Sequence, residues 1–178
     1  SRVHNIEQAC IGIVAMSTKT ETHEFRTEAR QLLDLMIHSI YSNRDIFVRE
    51  LISNSSDAID KRRFEAIQHP EYVPEGYDPE ILISVDKDAR SVSVHDNGIG
   101  MTRDQVVDLI GTIAKSGTQE FIKALREAQA SEMPKDLIGQ FGVGFYSCFM
   151  VAREVRLVTR HAGEETATKW GSTGEGTY

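Results

Sequence analysis

The sequence predicts a single α+β domain, because two stretches with the alternation of β-hairpins are combined with stretches of helical periodicity. Apolar and polar residues alternate on both sides of a turn within residues 81–94, and again within residues 156–170. Apolar residues recur at helical spacing over residues 28–41, and a further helix is predicted over residues 119–130. Between them, Ser42 and Asp45 have the spacing of a capping box for a central helix that is predicted to run to about residue 68. Antiparallel hairpins and separate helices in one chain are typical of the α+β class.

The bulk composition excludes several partner classes. The chain has 178 residues, of which 40% are hydrophobic and 26% charged, as in an ordinary globular domain. Its net charge is −7, and the twenty Lys and Arg are scattered among twenty-seven Asp and Glu with no basic run. We therefore expect neither nucleic acid nor a membrane as a partner. No apolar run approaches the roughly 18 residues of a membrane span.

Residues 1–15 are interpreted as an artificially added stretch or a leader, with the domain proper over residues 16–178, although an extra strand in this segment stays possible. The chain stops where a strand is expected to begin, so the domain is expected to continue past residue 178. Cys10 and Cys148 are far apart and fit neither a disulfide framework nor a metal site. This use of cysteine indicates a protein of a reducing compartment, and we expect it to be located in the cytoplasm.

The central helix, predicted to run to about residue 68, carries four polar residues on one narrow face. At 100° per residue, Glu50, Asn54, Asp57 and Lys61 fall at about 0°, 40°, −20° and 20°. Apolar residues flank this polar stripe, so we expect it to face the protein interior, where such groups need a ligand, a metal or one another. A solvated amphipathic face, or a structural ion pair between Asp57 and Lys61, is the alternative.

A second motif begins at Asp96, at the end of the first hairpin. Asp96 has the same parity as the two valines before it in the strand, so its carboxylate is predicted to point to the buried face and His95 to the other. Gly98 and Gly100 follow, and glycines let the backbone approach a ligand closely. Thr102 and Gln105 then have the spacing of a capping box for a short helix that is predicted to end at residue 110.

The third motif is a run of glycines at positions 139, 142 and 144, followed by a helix-like segment over residues 146–152. Amide groups at the start of a helix can hold a phosphate. The run lacks the Lys-Ser or Lys-Thr of a Walker loop and the context of a dinucleotide fingerprint, so alone it fits a turn equally well. Together the three motifs supply an acid, an amide ligand for a metal, an acceptor for adenine and a phosphate cradle.

These residues resemble a known superfamily. Residues 50–54, 96–100 and 139–144 are similar to the three boxes of the GHKL ATPases, which include type II topoisomerase subunits, mismatch-repair proteins, sensor histidine kinases and ninety-kilodalton heat-shock chaperones. The amino-acid sequence at 49–54, 56–58, 111–118 and 138–147 resembles the N-terminal domain of a bacterial chaperone of the last group. This resemblance extends over residues 23–178. The resemblance implies a Bergerat-type fold, a two-layer sandwich of a mostly antiparallel mixed sheet with helices on one face.

The resemblance also implies roles for individual residues. Glu50 would be the general base that activates water against the γ-phosphate of ATP, Asn54 would bind Mg²⁺, and Asp96 would accept the adenine amino group. The residues implied in binding ATP or ADP are Asn54, Asp57, Ala58, Asp96, Gly100, Met101, Lys115, Gly142, Val143, Gly144, Phe145 and Thr177. Two departures from the family pattern, Ser55 in place of Ala and His95, are expected to touch none of these contacts.

The resemblance further implies a lid over residues 111–137 that closes on ATP, a homodimer partner and client proteins engaged through the full-length chain. The arginine that senses the γ-phosphate in the family lies in a following domain, so we expect this chain to bind ATP well and hydrolyse it slowly. The alternative functions are a histidine autokinase and a nucleotide-gated interaction module.

Overall fold

The computed structural model describes residues 3–9, 19–22, 45–111 and 144–174. Five strands and two α-helices lie in these ranges: β1 (Val3–Ala9), α1 (Ile46–Glu65), β2 (Ile81–Asp86), β3 (Ser91–Asp96), α2 (Arg103–Gly111), β4 (Ala152–Thr159) and β5 (Thr168–Ser172). Two 3-10 helices complete them, Pro70–Tyr72 and Gly144–Met150. No helix in these ranges is long and apolar enough to cross a membrane. The helices predicted over 28–41 and 119–130 lie outside the described residues.

The five strands form one mixed sheet in the order β2-β3-β1-β4-β5. β2 pairs antiparallel with β3, from Ile81 opposite Asp96 to Asp86 opposite Ser91. β4 and β5 form the second antiparallel pair, with Leu157 opposite Trp170. Both predicted hairpins are therefore confirmed, and the sheet with its helices confirms the α+β class.

β1 occupies the centre of the sheet and runs parallel to both neighbours. Asn5 pairs with Ser91 of β3 on one side and with Glu154 of β4 on the other. Residues 1–15 therefore contain the extra strand, over Val3–Ala9. It joins the two hairpins into one sheet.

α1 packs against β3 and against the 3-10 helix Gly144–Met150. Its buried residues are spaced four apart: Phe47, Leu51, Ser55 and Ile59. Residues at this spacing lie one above the other on a helix, so they form a single row that faces the sheet. The helix ends at Glu65, three residues before the predicted end, and residues 66–68 continue as a turn before Pro70.

The core lies where α1, the second 3-10 helix and the sheet meet. Among the described residues, the largest fully buried side chains are Phe149, Leu51, Leu157, Val94 and, from α2, Val106. Each contributes roughly 1.5–3 kcal/mol through removal of apolar surface from water. Cys148 lies among them as a free cysteine, and burial raises the pKa of its thiol to about 12.

α2 begins with the predicted capping box. The backbone N–H of Thr102 donates to Gln105 Oε1 at 2.9 Å, and the backbone N–H of Gln105 donates to Thr102 Oγ1 at 3.2 Å. Both bonds satisfy amides that have no partner within the helix. The helix ends at Gly111, one residue beyond the predicted end.

Candidate functional site

The first and third motifs meet at Glu50 and Gly144. Gly144 opens the 3-10 helix, and a Cβ built on it would lie 2.9 Å from Glu50 Cδ and 3.1 Å from Glu50 Cβ. A side chain at position 144 would therefore displace the Glu50 carboxylate. Glycine at this position allows the Glu50 carboxylate to lie directly against the end of the glycine run, although the two are far apart in sequence.

The second motif docks on the same helix through Ala58. The backbone N–H of Ile99 donates to the Ala58 carbonyl oxygen at 2.9 Å. A Cβ at Gly98 would lie 2.6 Å from Ala58 Cβ and 2.7 Å from its carbonyl carbon, which is too close for any side chain. Glycine is needed at position 98 because the loop lies directly against α1.

Asp96 is buried at the base of this loop. Only 1% of its surface is exposed, as the parity of β3 predicts. One carboxylate oxygen accepts from the backbone N–H of Gly98 at 3.0 Å, and the other accepts from Ser55 Oγ at 3.0 Å. The carboxylate is thus held from its own loop and from α1.

The contact from Ser55 overturns the expectation that this departure from the family pattern touches no predicted contact. Ser55 is fully buried, and its hydroxyl reaches the carboxylate predicted to read adenine. A signal was present in the sequence, because Ser55 lies at helical spacing from Leu51 and Ile59 on an otherwise apolar row. A hydroxyl in such a row needs a buried partner.

Arg62 secures the outer side of the Asp96 loop, and sequence reasoning missed it. Its Nη1 donates to the carbonyl oxygens of Asn97 at 2.6 Å and Gly98 at 3.3 Å. Its Nε donates to the Tyr72 carbonyl at 2.6 Å, and its guanidinium lies 4.6 Å from the centre of the Tyr77 ring. A cation that binds two successive carbonyls fixes the path of the loop behind the site.

Gly100 and Met101 are anchored to the end of β4. Gly100 has φ +69°, and a Cβ there would collide with the carbonyl of Arg160. The backbone N–H of Met101 donates to Thr159 Oγ1 at 2.9 Å. Only glycine is free of strain at this backbone angle, so the turn that presents Met101 depends on it.

The polar stripe of α1 does not face the interior as predicted. Glu50 is half-buried, but Asn54, Asp57 and Lys61 are exposed. The buried row from Phe47 to Ile59 lies roughly 60–180° around the helix axis from Glu50. Packing against the sheet buries this mostly apolar row and leaves most of the polar stripe outside. Within the described part of the chain, Lys61 pairs with Glu65 at 3.7 Å and not with Asp57.

Glu50 is the member of the stripe whose chemistry the fold alters. Burial raises the pKa of its carboxyl group above the usual range of glutamic acid. A carboxylate with a raised pKa is a stronger proton acceptor once it is ionised. The environment therefore suits a general base.

Several predicted site residues lie outside the described residues: Lys115, Gly142, Val143 and Thr177. Phe145 is described, and its ring meets Tyr146 and Trp170 edge to face, with ring centres 5.7 Å and 5.5 Å apart. Its side chain thus belongs to an aromatic cluster beside Gly144. A role in binding would use its backbone amide.

Comparison with known proteins supports the same family as the motifs. The family described as histidine kinase-, DNA gyrase B- and HSP90-like ATPase matches residues 41–174. The chain is 60% identical over 166 residues to the chaperone protein HtpG of Mycobacterium avium (strain 104), covering 92% of this chain and 26% of that protein. It is 59% identical over 163 residues to HtpG of Mycolicibacterium vanbaalenii and of Mycobacterium tuberculosis (strain H37Rv), covering 92% of this chain and 25% of each relative.

Proposed function

Because the chain belongs to the histidine kinase-, DNA gyrase B- and HSP90-like ATPases, we propose that it binds Mg·ATP beside α1 and positions Glu50 to activate water against the γ-phosphate. The observation that carries this proposal is the meeting of three distant motifs on one helix. Gly144 lies against Glu50, Gly98 lies against Ala58, and Asp96 is bonded to Ser55. An acid can activate water, a glycine-lined backbone can hold phosphates, and a buried acceptor can recognise the base.

Asn54 is the proposed protein ligand of Mg²⁺. It is exposed on α1, one turn after Glu50, where its amide oxygen is accessible. Mg²⁺ prefers hard oxygen ligands and commonly takes only one or two from protein, the rest coming from phosphate and water. The donor chemistry of this part of α1 fits that requirement. When bound, the ion would neutralise charge on the phosphates.

The remaining contacts are proposed around these anchors. Asp96 accepts the adenine amino group, and Gly100 and Met101 line the base from the turn that is anchored to the end of β4. Backbone amides of residues 142–145 hold the phosphates, with Lys115 approaching from the connection after α2. Ala58 and Asp57 lie at the sugar and base together with Thr177, in direct or water-mediated contact.

The chain spans about a quarter of the length of the HtpG relatives, so the activity of the whole protein is also proposed. We infer a cytoplasmic chaperone in which ATP closes a lid over residues 111–137, promotes pairing with a second copy and drives remodelling of client proteins. The high identity to HtpG chaperones and the chemistry of the site support this function.

The proposal is tested by titrating ATP with and without Mg²⁺ and by following phosphate release in a single turnover. We expect saturable binding that weakens by about tenfold or more when EDTA removes the metal. Slow release of phosphate is expected, and addition of the domain that follows in the full-length protein should accelerate it. Transfer of the labelled phosphoryl group to protein would instead indicate an autokinase. Binding without any hydrolysis in the full-length protein would indicate a nucleotide-gated module.

The proposed lid predicts a change in hydrogen exchange. Amides of residues 111–137 should exchange rapidly without nucleotide and become protected on addition of a non-hydrolysable ATP analogue, because closure buries the backbone. Amides of β2 and β3 serve as an internal control, since their ladder bonds are already formed. Equal protection of residues 111–137 in both states would contradict a lid.

A further inference from the structure

Ser55 has an unusual position for a hydroxyl group. It is one of four buried residues of α1, the other three being Phe47, Leu51 and Ile59, and its exposed fraction is 0%. Its Oγ donates to Asp96 Oδ2 at 3.0 Å across a sequence separation of 41 residues. A buried hydroxyl is costly unless it is bonded, so this bond is the reason that serine is tolerated in the row.

The bond gives Asp96 a second point of attachment. Asp96 Oδ1 accepts from the backbone N–H of Gly98, two residues further along the same loop. The terminal torsion of aspartate has a broad and nearly two-fold preference, so the orientation of the carboxylate is determined by the donors that it meets. Ser55 holds the second oxygen from a different element, α1. The two donors together define the plane of the carboxylate.

We propose that Ser55 is a positioning residue for base recognition: its hydroxyl holds the Asp96 carboxylate in the orientation that meets the amino group of adenine. This inference rests on the proposed function, specifically on Asp96 as the group that reads the base. A carboxylate has about four lone-pair sites, so it can accept from several donors at the same time. A fixed acceptor loses no orientational freedom on binding, which raises affinity without a contact between Ser55 and the nucleotide.

The inference predicts an effect on base selectivity as well as on affinity. Guanine has a carbonyl oxygen where adenine has its amino group, so a fixed carboxylate repels it. Ser55→Ala removes the donor that holds Asp96 Oδ2 from α1, so the carboxylate is oriented less strictly, which weakens its bond to adenine and relaxes the repulsion of guanine. We expect ATP affinity to fall by about five- to twentyfold and the ATP:GTP affinity ratio to fall by about fivefold or more.

Calorimetric titration of ATP and GTP into four proteins tests this: the wild type, Ser55→Ala, Asp96→Ala and the double variant. The double-mutant cycle is the decisive readout, because a positioning residue acts only through its partner. Ser55→Ala should lower ATP affinity in the wild-type background and change it by less than about twofold in the Asp96→Ala background. Ser84→Ala, which removes an exposed hydroxyl from β2, is the matched control and should bind both nucleotides as the wild type does.

A second variant guards against loss of folding at this buried position. Ser55→Cys keeps the shape of the side chain and fills the space of the hydroxyl with a larger atom that is only a weak donor, so it should reproduce the loss of affinity and selectivity seen with Ser55→Ala. The inference is overturned if both Ser55 variants bind ATP within about twofold of the wild type at an unchanged ATP:GTP ratio, or if the effect is undiminished without Asp96. In these cases Asp96→Ala still loses affinity and the proposed site stands. If Asp96→Ala binds ATP normally, the base-reading role of Asp96 fails together with the inference.

Discussion

Glu50→Ala should lower ATP hydrolysis by roughly 10²-fold or more while leaving Mg·ATP affinity within a few-fold of the wild type. The expected separation of binding from chemistry follows from the position of Glu50. Its carboxylate lies against Gly144, where the phosphate-binding segment is proposed to end, whereas Asp96, the proposed base contact, meets α1 further along, at Ser55. Removal of the acid therefore eliminates the proton acceptor and leaves the base contacts in place.

Calorimetry and single-turnover phosphate release on the full-length protein measure the two effects separately. Glu75→Ala, which removes an exposed carboxylate from the loop after the first 3-10 helix, is the control for a change of charge and should hydrolyse ATP normally. Near-normal turnover by Glu50→Ala would remove Glu50 from the mechanism. Loss of binding in parallel with hydrolysis would assign it to the ligand site instead.

The raised pKa of Glu50 adds a prediction for the pH dependence of the same experiment. A general base works only when it is ionised, so the rate should fall on acidification through the raised pKa, above the usual range for a glutamate. Burial disfavours the charged form, so the stability contributed by Glu50 is present at low pH and is lost as the pH rises through its pKa. Glu50→Gln should therefore be more stable than the wild type at neutral pH, and the difference should vanish in acid. Thermal unfolding across this pH range measures it.

Asp96→Asn should weaken ATP binding and lower the ATP:GTP affinity ratio at the same time. An ionised carboxylate that accepts from the adenine amino group contributes about 1.5–3 kcal/mol through a charge-assisted bond. Guanine presents an acceptor at that position, and two acceptors facing each other in a dry pocket repel. The wild type should therefore prefer ATP over GTP by roughly 10²-fold or more.

The contacts of Asp96 specify how the asparagine will lie. The backbone N–H of Gly98 requires an acceptor, so the amide oxygen of Asn takes that side. The amino group then takes the place of the oxygen that now accepts from Ser55, whose hydroxyl can accept in turn. A donor at this place opposes the amino group of adenine and favours the carbonyl of guanine. The variant is thus expected to lose ATP affinity and to gain relative affinity for GTP.

Titration of ATP and GTP into the wild type and the Asp96→Asn variant tests this prediction. Asp78→Asn, an exposed position in the loop before β2, is the matched control for the loss of one negative charge. An Asp96→Asn variant with the ATP affinity and ATP:GTP ratio of the wild type would show that Asp96 does not read the base. A lower unfolding temperature with an unchanged ratio would limit Asp96 to holding the loop.

Local sequence patterns were sufficient to predict several elements of this fold. The alternation in residues 81–94 predicted the hairpin of β2 and β3, and the parity of Asp96 with Val94 predicted its burial. Side chains alternate across any strand, so one buried residue determines the side of the others. The capping box of Thr102 and Gln105 is equally local, because both hydrogen bonds join residues three apart.

Tertiary packing decided which face of α1 is buried. The polar stripe from Glu50 to Lys61 and the row from Phe47 to Ile59 are both regular at helical spacing, and the sequence does not specify which surface the helix will meet. The sheet and the second 3-10 helix select the apolar row, which leaves Asn54 exposed and carries Ser55 inward. The contact between Ser55 and Asp96 therefore could not be read from helical periodicity alone.

Contacts between distant segments were also decided only by the fold. Arg62 belongs to a charged stretch at the end of α1, and its bonds to Asn97 and Gly98 span 35 and 36 residues. β1 has the sequence Val-His-Asn-Ile-Glu-Gln-Ala, which lacks the apolar run typical of a central parallel strand. The sequence by itself determined the family, the hairpins and the identity of the three motifs, because these depend on residues close together in the chain. Their meeting on α1 and the place of β1 between β3 and β4 depend on contacts that form only when the whole sheet assembles.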